Sequence, residues 1–178
     1  MASQQVILLI INLIGGAAVI GSYIYGFATH PGSGTALWGG TPESIRPVYG
    51  ISMIFAALGY FTFIYFVLFR LVPADTEIAG RFGFSLFYAI FLGILVPSVF
   101  WMPLTYAYIA NPGTGIWTGI RLVLILVGLS SAVLVGALLN LQIKEPAFPY
   151  WLAVAGSAYF AFHTAVLDML LWPILFRM

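Results

Sequence analysis

Few side chains in this 178-residue sequence could do chemistry: two histidines, five carboxylates and six lysines or arginines, with no cysteine at all. The missing thiols exclude disulfides, thiolate nucleophiles, zinc-thiolate sites and iron–sulfur clusters. Six scattered bases and a net charge of +1 give no footprint for phosphate, so nucleic acid is not an expected partner. Three of the ionisable residues, Arg121, His163 and Asp168, fall inside long apolar runs. Such groups are expensive in a membrane unless something pairs with them, so each requires an account.

Projected at about 100° per residue, Arg121 shares an arc of its run with Gly128 and Ala132, and Asp168 shares one with Ala153, Ser157, Ala161 and Ala165. Small residues at fourfold spacing mark helix contacts in lipid. The two charges therefore lie on faces expected to meet, at similar depth, and the spacing predicts an intramembrane ion pair between Arg121 and Asp168. Its expected role is a structural clamp, with a proton or ligand site as the alternative.

His163 projects about 160° away from that stripe, on a face shared with Gly156 and Tyr159. It must meet another helix, a partner subunit or a bound molecule. The plain reading is a neutral imidazole hydrogen-bonded to a serine, threonine or carbonyl of the bundle. The sharper one uses Gly156 as a gap and Tyr159 as a flat neighbour, together seating a ring system for which His163 could be axial ligand to a tetrapyrrole metal. No metal site made by the protein alone is expected. His30 lies outside the apolar runs, which disfavours bis-histidine haem. An acid and a base about 140° apart on one α-helix do not converge on a substrate, so His163 and Asp168 do not predict an enzyme.

The elements that must position these residues are membrane helices. The chain is 62% hydrophobic and 6% charged, with a mean hydropathy of +1.08. That is far from the roughly one quarter charged residues of a soluble domain. Five apolar runs, at 6–27, 47–71, 82–106, 116–141 and 148–176, are each long enough to cross a hydrocarbon core. The expectation is an all-α, five-helix transmembrane bundle, a single domain over 1–178, with one long inter-helix connection between the first two spans.

Five spans put the termini on opposite sides. Side A holds the amino terminus and the connections after the second and fourth spans; side B holds the other two connections. The balance of Arg70, Arg81 and Lys144 against Arg46 and Arg177 leans towards a cytoplasmic side A. Trp38, Trp101, Trp117 and Trp172 fall at side B and only Trp151 at side A, and the long connection is also at side B. A ligand mouth is expected there.

Several short features are similar to the translocator protein/TspO family of tryptophan-rich, five-helix membrane proteins. They are Trp38 and Pro42 in the first connection, Pro47-Val48-Tyr49 opening the second span, Phe87-Tyr88 followed by Pro97 and Trp101, and Pro149-Tyr150-Trp151 opening the fifth. The family's adjacent prolines in the first connection and its asparagine pattern in the fifth span are absent. The resemblance implies a pocket for porphyrins or sterol-like molecules, with Trp38 in the lid and Trp101 in the pocket wall. From residues and resemblance together, the expected function is non-catalytic binding of a flat hydrophobic ligand by His163, Tyr159, Gly156, Trp38 and Trp101. The alternative is a structural accessory subunit of a larger membrane complex, with lipid and other membrane subunits as partners.

Overall fold

A computed structural model describes residues 1–176. Five helices are long and apolar enough to cross a membrane: α1 (Ser3–Thr29), α2 (Arg46–Phe69), α3 (Leu86–Ala110), α4 (Thr114–Leu139) and α5 (Ala147–Leu175). The chain is an all-α, multi-pass membrane protein. The third helix starts four residues later than the apolar run, because Ile78 and Phe82 pair across a tight turn and keep that segment out of the helix.

Around the bundle, α1 lies beside α3, α3 beside α4, α4 beside α5 and α5 beside α2. Consecutive α2 and α3 do not run side by side, since the connection between them is long enough to carry the chain across end A. α1 meets α2 at end A, where Gln5 Nε2 donates to the carbonyls of Leu68 (2.8 Å) and Leu71 (3.1 Å) and the Tyr60 hydroxyl donates to Asn12. Towards end B, α1 leans on α3, with Gly26 against Met102 and Tyr106.

Gly59 of α2 and Gly156 of α5 bring their two helices close together. A β-carbon on Gly59 would stand 2.5 Å from the Gly156 carbonyl oxygen, so neither helix has room for a side chain there.

The end-A half holds a packed aromatic core, with Phe63, Phe66, Phe87 and Phe91 fully buried and Tyr150 at 1% exposure. Phe84 and Ile78 close it from the connection 70–85. That connection is clipped to the connection 140–146 by Ala79 N–H to Asn140 O and Gln142 N–H to Glu77 O, both 3.0 Å.

At end B, the first connection folds across the bundle through a short 3₁₀ helix, Ser33–Trp38. Trp172 Nε1 donates to Leu37 O (3.1 Å), Ser33 Oγ donates to the Tyr106 hydroxyl (3.0 Å), and His30 stacks on Tyr106 at 4.1 Å.

Candidate functional site

The site begins with a change of helix type inside α5. Ala147–Ala161 is α-helical, Phe162–Leu171 is a π-helix, and Trp172–Leu175 returns to α. Trp172 N–H reaches back five residues to Leu167 O. Pro173 supplies a local cause: it has no N–H to continue the α ladder, and its ring would collide with the carbonyl four residues back.

The wider π turn brings residues five apart onto one face. His163 and Asp168 therefore face each other, with Nε2 3.5 Å from Oδ2. This corrects the uniform α-helical projection, which separates them by about 140° and turns Asp168 towards α4. The ion pair predicted between Arg121 and Asp168 does not form. Packing of Ser131 on Thr164, and of Gly128 on Ala165 and Met169, fixes the α4–α5 register. Carried seven residues towards end B, that register puts Arg121 opposite the Pro173 end of α5, roughly 9 Å beyond Asp168. Among the described residues, Arg121 has no ion pair, and its Nε is buried without a hydrogen-bond partner.

The predicted small stripe on α4 is also only partly used. Gly128 meets α5, but Ala132 is exposed and Gly136 has open space beside it; Ser131 replaces them in the contact.

His163 faces α2, where its Nδ1 lies 2.9 Å from the buried Ser52 Oγ. The Tyr159 hydroxyl donates to the same oxygen at 3.3 Å. The imidazole thus bonds Ser52 through Nδ1 and turns Nε2 towards Asp168. Gly156 offers no gap for a ring: its outer space is occupied by Gly59 and Thr62, and a β-carbon would meet Thr62 Oγ1. Tyr159 is on the outer surface, 36% exposed, between Phe55 and Phe162. The expected grouping of His163, Tyr159 and Gly156 around a flat ligand is therefore replaced by a polar chain that ties α5 to α2.

Asp168 continues that chain into the bundle. Tyr49 of α2 lies next to it, bonded to the carbonyl of the preceding Leu167. The aspartate side chain is 33% exposed. It accepts no hydrogen bond among the described residues; at 3.5 Å the imidazole is an electrostatic contact.

Tyr49 spends its hydroxyl on Leu167 O (2.9 Å), while the Tyr23 hydroxyl has no partner among the described residues. Trp101 lies against Tyr23 (6.0 Å) and Trp172 (5.7 Å), and its Nε1 is buried without a partner among the described residues. Trp38 packs edge-on against Tyr49 at 5.8 Å. Of the predicted residues, Trp38, Trp101, His163 and Asp168 thus belong to one end-B region, while Gly156 and Tyr159 lie outside it.

Ser52, His163 and Asp168 follow the order of a hydrolytic triad, but the surroundings are wrong for one. Ser52 sits mid-helix against α5, where neighbouring backbone N–H groups are spent in helix ladders, leaving no oxyanion donors. The arrangement can hold and orient a proton between α5 and α2.

Sequence reasoning missed Ser52, Tyr49 and Tyr23. Ser52 carried a readable signal, as an isolated serine in the apolar first half of α2. A hollow of about 410 Å³ lined by Asp75, Thr76, Glu77 and Arg81 lies at end A, opposite the expected ligand mouth. No protein-family model, curated protein or solved structure matches this chain.

Proposed function

We propose that the chain is a non-catalytic membrane protein that binds a hydrophobic small molecule in the end-B half of its bundle, among Tyr23, Tyr49, Trp101 and Asp168, under the connection that carries Trp38. The observation that carries this reading is Asp168, re-aimed by the π-helix and left with a third of its side-chain surface open. Intramembrane carboxylates without a full set of partners belong to ligand or ion sites by default. A flat ligand without a metal suits the site better than a metallated tetrapyrrole, because Nδ1 of His163 is held by Ser52 and Nε2 faces Asp168. The TspO-like features Trp38 and Trp101 support the same location by resemblance.

Purification in mild detergent, followed by mass spectrometry of the small molecules retained, tests the proposal. A hydrophobic compound other than bilayer lipid, held in stoichiometric amount and lost when Trp101→Ala opens the wall, supports it. Bilayer lipid alone, unchanged by that substitution, overturns it.

A second reading, an accessory subunit of a larger complex, is favoured by α1. Only 6% of its central apolar stretch is buried, and Gly16 and Gly21 stand in open space. A second polypeptide that co-purifies, and leaves when Gly21→Leu is introduced, would support that role.

A further inference from the structure

Resting on the binding reading above, we infer that the ligand carries a protonated amine that seats on Asp168. A carboxylate has about four acceptor positions and stays costly in apolar surroundings until donors fill them. The groups that face Asp168 do not fill them. From α5 itself, His163 is 3.5 Å away and tethered to Ser52. From α2, Tyr49 is spent on Leu167 O. From α4, Arg121 lies beyond reach towards end B, and no arginine or lysine stands within 4.0 Å of Asp168 among the described residues.

What remains beside the carboxylate is aromatic surface, Tyr49 on the neighbouring Leu167 carbonyl with Trp38 edge-on against it. Aromatic faces attract a cation and so complement the carboxylate. A neutral head leaves the charge uncompensated, and an anionic head is repelled. A lipophilic amine answers both requirements: its ammonium donates to Asp168 and lies against the rings, and its apolar body packs under the Trp38 connection.

The test uses three flat probes of one size, pyrenemethylamine, pyrenemethanol and pyrenecarboxylate, with the full chain in lipid nanodiscs. Energy transfer from the end-B tryptophans to pyrene reads binding, with empty nanodiscs as background. The amine should bind at least about tenfold more tightly than the alcohol, and the acid should not bind above background. Asp168→Asn, which keeps shape and removes charge, should erase the amine's advantage.

If amine and alcohol bind alike, the head-group inference falls while the binding reading stands. If no probe binds and no compound co-purifies, the binding reading falls as well. The amine–alcohol comparison on the unsubstituted chain needs no variant, so it decides the question even if Asp168→Asn does not fold.

Discussion

The two halves of the bundle are built from the same apolar residues and differ in what their polar atoms do. At end A, the hydroxyls of Tyr60, Tyr88 and Tyr150 and the Gln5 amide all find partners on neighbouring helices or carbonyls, around phenylalanines with no exposed surface. At end B, Trp101 Nε1, Thr41 Oγ1 and Arg121 Nε are buried without partners, and Asp168 accepts no hydrogen bond among the described residues. Buried polar groups are almost always satisfied, so a half that saturates them is scaffold. A half that leaves several open has capacity to offer a ligand. The two ends thus differ in how completely their buried polar atoms are satisfied.

The largest effect expected is at the scaffold end. Phe63→Ala removes a fully buried ring that packs on Tyr60, Phe91 and Phe160, and should cost about 3 kcal/mol or more in equilibrium unfolding from mixed micelles. Trp38→Ala, in the end-B connection, should cost clearly less. Equal costs would abolish the contrast between the halves. Next in size is Gly156→Val, whose new β-carbon meets Thr62 and Gly59; it should destabilise by about 1–3 kcal/mol by forcing α2 and α5 apart. A neutral result would mean that the two helices do not cross at these glycines.

The spans were legible because apolar length alone decides them: each predicted run overlaps an observed helix, with ends shifted by a few residues where turns and caps intervene. The aromatic run of α2 divides between the core, which takes Phe63 and Phe66, and the outer surface, where Phe61 is 68% exposed. The site was legible only in its ingredients. A constant rotation per residue cannot anticipate a π segment, and a ten-residue π stretch re-aims every side chain beyond Phe162. Pro173 lies just past that stretch and leaves the carbonyl of Met169 without the N–H an α-helix would give it. Gly156 was read as a gap because sequence shows a missing side chain but not the backbone that fills its place.

Within the polar chain, Ser52 and His163 should be coupled. Ser52→Ala and His163→Leu each break the 2.9 Å contact, and the double-mutant cycle should return about 1 kcal/mol of interaction, the worth of one buried neutral hydrogen bond. Tyr159→Phe, which removes a longer and more exposed bond to the same oxygen, should couple less strongly. If Tyr159 couples to Ser52 more strongly than His163 does, the imidazole is not the group that ties α5 to α2.

The smallest effect expected is the one that most directly opposes the α-helical projection. An Arg121–Asp168 clamp would make each single replacement cost about 3–5 kcal/mol and the double replacement far less, because breaking a buried pair strands the surviving charge. The observed register separates the two residues, and Arg121 has no ion pair among the described residues. Arg121→Met should then change stability by less than about 1 kcal/mol, since most of what it loses is a half-buried charge close to end B. In a cycle with Asp168→Asn, the two effects should add to within about 0.5 kcal/mol, as for residues that share no partner. Coupling well above that value would place the guanidinium on the carboxylate. It would also remove the open acceptor on which amine binding depends, so this cycle and the pyrene probes bear on the same atom from opposite directions.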